Sequence, residues 1–146
     1  SLKKILVING VNLNFLGIRE PKIYGGETLE EINAYIRNSF SPDEVELTFF
    51  QSNIEGEIVN AIQDAYQKQD GIVINAGAYT HTSLAIADAL RGGGVPAVEV
   101  HLSNVFQREE YRHHSYLSPV CRAQLCGMGK FGYVCAIHFL LEGDWK

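Results

Sequence analysis

Cysteine is scarce. There are three in 146 residues, Cys121, Cys126 and Cys135, an odd number with no CxxC pair. That excludes a disulfide scaffold and leaves free thiols in a reducing cytoplasm as the simplest reading. No apolar run reaches the roughly 18 residues of a membrane span, and the start shows no signal-peptide pattern, so neither a span nor secretion is expected. Ser1, where an initiator Met would stand, reads as a processed or engineered start. Positive charge is not in excess: 12 Lys+Arg against 17 Asp+Glu give a net charge of -5, which argues against a nucleic-acid-binding face. There is no Asn-x-Ser/Thr sequon, low-complexity tract, internal repeat or linker, so one domain over residues 1–146 is expected. Walker A sequences and His/Cys/carboxylate groups at metal-ligand spacing are absent as well, and no metal site is expected.

What is present alternates. "KILVIN" (4–9) and "GIVINAG" (71–77) are continuous apolar runs, the mark of strands buried on both faces; "VELTFFQS" (45–52), "PAVEVHLS" (96–103) and "AQLCGMG" (123–129) complete five strands. Between them lie helical patterns. Thr28 and Glu31 form a capping box ahead of Leu29, Ile32, Ile36 and Phe40. "GEIVNAIQDAYQK" (56–68) places Ile58, Ile62, Ala65 and Tyr66 on one side. "TSLAIADALR" (82–91) is stopped by Gly92, Gly93 and Gly94, "QREEYR" (107–112) reads as a short helix and "YVCAIHFLLEG" (133–143) as the last. Five strand–helix units predict an α/β fold, a flavodoxin-like doubly wound parallel sheet of order 2-1-3-4-5. Ligands of such sheets bind at the carboxyl ends of the strands where the winding reverses, here between strands 1 and 3.

Polar residues gather at those ends. Asn12 follows strand 1, Asn75 ends strand 3, and His101 and Ser103 end strand 4. Glu99, His101 and Ser103 sit at i, i+2 and i+4, so an extended strand puts them on one face. A carboxylate beside an imidazole orients it and favours its protonated form, which makes His101 a candidate general acid. A buried Glu–His pair serving packing alone is the competing reading. In "NAGAYTHTS", His81 and Thr82 stand at a helix start, with Thr80 or Thr82 as the expected capping oxygen. The exposed amides of that start also suit a polar or anionic ligand.

The connection after strand 1, "GVNLNFLGIREPKIYGGE" (10–27), far exceeds the usual 2–6 residues of such a turn and reads as a lid. It carries Arg19 and Tyr24. A guanidinium about 4 Å from a phenol, at an effective dielectric near 20, favours the phenolate by about 4 kcal/mol, or about 3 pKa units, while burial opposes the shift. The loop thus holds the parts of a base. A plain surface excursion is the alternative.

"GMGKFG" (127–132) matches G-x-G-x-x-G, but 14 residues remain after Gly132, too few for a returning strand and its acidic residue. Tight turns around the last strand are expected instead. "HH" at 113–114 reads as surface.

Five motifs, in order, resemble one family over essentially the whole chain: "INGVNLNFLGIREPKIYG", "FFQSNIEGEIVNAI", "GIVINAGAYTHTSLAIADAL", "VPAVEVHLSNVFQREEYRHHSY" and "GMGKFGY". That family is the type II 3-dehydroquinate dehydratases. The resemblance implies a hydro-lyase converting 3-dehydroquinate to 3-dehydroshikimate by anti elimination, without metal, Schiff base or other cofactor. The same step serves aromatic biosynthesis and quinate breakdown. It implies Tyr24 as base at C2, Arg19 as its activator, Asn12 holding the enolate through a water, and His101 as acid at the C1 hydroxyl with Glu99 supporting it. Asn75, His81, Arg112, Leu102 through its backbone amide, and Ser103 resemble the substrate-binding groups. Asp88 resembles the residue a neighbouring subunit lends to the site. The partners implied are the small-molecule substrate and further copies of the chain, as trimers forming a dodecamer in the cytoplasm. The chain departs from the family pattern at Val11 and Ala76, where proline is usual. Two other readings compete: a flavodoxin-type FMN-binding module, against which the loop after strand 1 lacks Ser/Thr-rich phosphate-binding character, and a degenerate oligomer without catalysis.

Overall fold

A computed structural model describes residues 2–18, 20, 22 and 26–143. Among them, strands β1 (Lys3–Asn9), β2 (Val45–Gln51), β3 (Gly71–Asn75), β4 (Ala97–His101) and β5 (Ala123–Cys126) alternate with helices α1 (Leu29–Asn38), α2 (Glu55–Asp64), α3 (Leu84–Gly93) and α4 (Phe131–Glu142). All neighbouring strands run parallel, in the order β2-β1-β3-β4-β5. This is the flavodoxin-like order that the sequence predicts.

The period-2 geometry of a strand explains the layering. Ile5 and Val7 of β1 point to one apolar cluster, with Ile32 and Ile36 of α1 and Val134, Ile137 and Leu140 of α4. Leu6 and Ile8 point to the other, with Ile58 and Ile62 of α2 and Ile86 and Leu90 of α3. Every residue of β3 and β4 is buried. Two helices on each face therefore leave the ends of the sheet as the place where polar groups meet solvent.

The local signals are resolved as follows. The capping box is present: Thr28 Oγ1 accepts from the Glu31 N–H, and the Thr28 N–H donates to the Glu31 carboxylate. Helix α3 runs through Gly92 and Gly93 and stops only at Gly94, whose φ of 72° is the left-handed cap. Its N-cap is Ser83, whose hydroxyl accepts from the Ile86 N–H, rather than Thr80 or Thr82. Helix α2 ends at Asp64, which leaves Tyr66 exposed instead of on the buried side. Residues 107–112 form no single helix; short 3-10 turns cover Val105–Gln107 and Glu110–Arg112. Helix α4 begins at Phe131, two residues before the predicted start. "GMGKFG" makes turns, with positive φ at Gly127 and Gly129.

Ala76 has φ -77° and follows directly on β3, a backbone that proline adopts without strain. Ala76→Pro is expected to stabilise the protein by up to about 1 kcal/mol, by restricting the unfolded chain. A melting temperature that fails to rise would refute this.

Candidate active site

The carboxyl ends of β1, β3 and β4 enclose a pocket of about 110 Å³. Seven of the residues singled out from the sequence line it: Asn12, Asn75, His81, His101, Leu102, Ser103 and Arg112. The topology explains why. In β1 and β3, Asn9 pairs in register with Asn75, and Ile74 of β3 pairs with Glu99 of β4, so His101 stands one residue beyond Asn75 at the same edge of the sheet.

Asn12 sits in the left-handed region, φ 68°, which asparagine tolerates better than most residues. Its N–H donates to Asn53 Oδ1 at 2.8 Å, and Gln51 Nε2 donates to the Gly10 carbonyl at 3.2 Å, so the turn after β2 fixes the start of the loop. Asn75 is held from below. Its Nδ2 donates to the hydroxyl of Tyr133 at 3.0 Å, and that hydroxyl donates to Asn9 Oδ1 at 2.6 Å. Asn75 Oδ1 accepts from the Gly77 N–H at 3.2 Å. The amide therefore has one fixed orientation, with a second N–H remaining on Nδ2.

His101 and Glu99 are joined as the strand spacing predicts, Nε2 to Oε2 at 2.5 Å, with Glu99 wholly buried. Burial pushes the Glu99 carboxyl upward, but His101 and the hydroxyls of Ser118 and Ser115 outweigh it and leave its pKa below the ordinary value. The carboxylate only accepts, so His101 carries its proton on Nε2, and Nδ1 is the nitrogen left to exchange a proton with a ligand. Ser103, which the i, i+4 spacing placed on the same strand face, lies beyond the end of β4 but still lines the pocket. The tip that holds it is pinned by the glycine turns, since the N–H groups of Gly127 and Gly129 donate to the carbonyls of Ser103 and Leu102.

His81 is half-buried, and its Nδ1 lies 2.8 Å from the His114 carbonyl, so Nδ1 is the donor and Nε2 is the other ring nitrogen. Burial depresses its pKa; the His114 carbonyl opposes that, and the charges of His101 and Arg112 add to it. The two imidazoles lie nearly parallel, centroids 6.4 Å apart. A neutral His81 offers an acceptor while Ser103 and Arg112 offer donors, a set suited to a small polyhydroxylated anion.

Other predicted residues lie elsewhere. Glu99 stands behind His101 and does not line the pocket. Asp88 is exposed on α3, paired with Arg91 at 3.5 Å, and is not part of the pocket formed by its own chain. Arg19 and Tyr24 lie outside the described residues. Sequence reasoning missed Arg108, which lines the pocket, and the long-range supports Tyr133, Thr80, Ser115 and Ser118. Only the i, i+3 spacing of the two serines hinted at a shared target.

The family model for Dehydroquinase class II matches residues 3–141. The 3-dehydroquinate dehydratase of Clostridium acetobutylicum is 56% identical over 137 residues, 94% of this chain and 95% of that protein. That of Fusobacterium nucleatum is 51% identical over 142 residues, 95% of this chain and 97% of that protein. Among solved structures, the type II dehydroquinase of Butyrivibrio crossotus superimposes with a TM-score of 0.93 at 52% identity, covering 96% of this chain and 98% of that one. With a family match over nearly its full length and relatives above half identity on the same fold, the chain belongs to the class II dehydroquinases.

Proposed function

We propose that the protein removes water from 3-dehydroquinate to give 3-dehydroshikimate. The observation that carries this reading is His101, anchored by a buried carboxylate and facing a pocket of hydrogen-bonding groups, in a chain whose relatives bear the name of that enzyme. The C2 proton lies next to the C3 ketone, so its removal yields an enolate. Tyr24, activated by Arg19, takes that proton. Asn12 holds the enolate oxygen through a water. His101 then protonates the C1 hydroxyl as it leaves, the C1–O bond breaks, and C1=C2 forms in conjugation with the ketone. Acid and base come from different segments, which suits an anti elimination. Asn75, His81, Leu102, Ser103 and Arg112 bind the carboxylate and hydroxyls of the substrate. The chemistry is proton transfer alone and calls for no cofactor.

The same reading makes the protein a cytoplasmic dodecamer built from trimers. The exposed position of Asp88, away from its own pocket, supports its donation to a neighbour. Light scattering is expected to give the mass of twelve 16.2 kDa chains; a monomer would reject that assembly.

Ultraviolet absorbance tests the reaction, because the enone product absorbs where the substrate does not. Incubation with 3-dehydroquinate is expected to give a rise that nearly vanishes in Tyr24→Phe. A rise surviving that change keeps the reaction and discards the base; no rise in folded protein discards the reaction.

A further inference from the structure

Glu99 is served by more donors than the orientation of one imidazole needs. Its Oε2 accepts from Thr80 Oγ1 at 2.9 Å and Ser115 Oγ at 2.8 Å as well as from His101. Its Oε1 accepts from Ser118 Oγ at 2.6 Å and Ser115 Oγ at 2.9 Å. None of the three hydroxyl residues lines the pocket, and they come from two segments far from β4 in sequence. We infer that Thr80, Ser115 and Ser118 form a hydroxyl cage that sets the proton affinity of the Glu99–His101 pair. They are positioning residues that act through Glu99.

The physical argument turns on what a bare carboxylate would do there. Fully buried with a single donor, it would bind a proton tightly, either taking the one on Nε2 or holding the imidazolium too firmly to release its acid proton. Each donated hydroxyl spreads the negative charge and lowers the carboxylate's basicity. The cage thus weakens the pull on His101 while keeping Glu99 ionised. Other groups face the pair: His81 from the turn after β3, Arg108 and Arg112 lining the pocket, Cys126 beside His101 in β5, and Cys121, whose thiol is pushed up to about 12 by burial and by Glu99. All are left in place by the changes below.

Ser115 is not the residue to alter first. Its hydroxyl oxygen also accepts from the N–H groups of Leu117 and Ser118, so alanine there would strand two amides. Ser118→Ala removes one hydroxyl bond and keeps that turn. Thr80→Val, nearly isosteric at a buried position, serves as the second variant if the first fails to fold. The readout is the imidazole titration of His101 by NMR in ligand-free, full-length protein, assigned with His101→Gln. The apparent pKa of His101 is expected to rise by about half a unit to one unit in either variant, since a lost donor makes the carboxylate more basic. Ser118→Thr, which keeps the hydroxyl, is expected to titrate like the parent. An unmoved or lowered titration in both folded variants overturns the cage. The catalytic part rests on reading His101 as the acid, and there the alkaline limb of kcat, where His101 loses its proton, is expected to shift upward by a similar amount. A raised titration in a protein that never converts 3-dehydroquinate would keep the cage and reject the proposed reaction, so the two fail separately.

Discussion

His101→Ala is expected to lower kcat on 3-dehydroquinate by about 10²- to 10⁴-fold, the usual worth of a positioned general acid. The leaving group is a hydroxyl, poor unless protonated as it departs, and His101 is the pocket-lining imidazole held by a buried carboxylate. The variant also takes one hydrogen-bond donor from the buried Glu99, which costs about 1–3 kcal/mol. Melting must therefore be measured beside activity. Solvent exchange isolates the chemistry. On the proposed mechanism, in which Tyr24 is an independent base, folded His101→Ala is expected to exchange the C2 proton of 3-dehydroquinate with deuterium while releasing almost no water. Full turnover in the variant would remove His101 from the acid role; lost exchange together with lost turnover would mean that binding, not protonation, had failed.

Gly10→Ala is the structural counterpart. A Cβ at Gly10 would lie 2.4 Å from the Ala76 carbonyl oxygen and 2.8 Å from the Ala76 Cα, which is backbone that cannot rotate away. Neither segment is free to yield. The Gly10 N–H donates to the Asn75 carbonyl at 2.7 Å, and the Gly10 carbonyl accepts from Gln51. The cost belongs at the upper end of overpacking, about 3 kcal/mol. For a chain of this size that is a fall in melting temperature of about 10 °C. Gly56→Ala is the control: it sits on the exposed face of α2 with nothing within 4 Å of the added carbon, and helix propensity alone is expected to stabilise it by up to about 1 kcal/mol. Calorimetry decides the matter, and equal melting of Gly10→Ala and the parent would mean that the loops after β1 and β3 part more easily than their contacts imply.

The sheet was legible because its signals are local. "KILVIN" and "GIVIN" are apolar on both faces, and that alone identifies strands with helices above and below. The Glu99–His101 contact was legible because two residues two apart on a strand share a side. The misread features share the opposite property. Thr80, Thr82 and Ser83 all carry hydroxyls at one helix start, and spacing cannot rank them; what assigns Thr80 elsewhere is a carboxylate 19 positions on. Gly92 and Gly93 look like a stop, yet one glycine with a left-handed backbone suffices, and Gly94 supplies it. Tyr133 reads as one more apolar residue of α4 until the fold sets its hydroxyl between Asn9 and Asn75.

That same tyrosine ties the site to the history of the chain. The strands contributing Asn9 and Asn75 are neighbours inside the sheet, whereas Tyr133 belongs to the last helix among the described residues, 58 positions beyond Asn75 and 124 beyond Asn9. Contacts of such long sequence separation form slowly, because loop closure comes before any contact offsets its entropy. Until α4 docks, the amide of Asn75 has lost its main anchor and the pocket has one wall unset. The anchor of Asn75 is therefore complete only with α4 docked, although Tyr133 itself does not line the pocket.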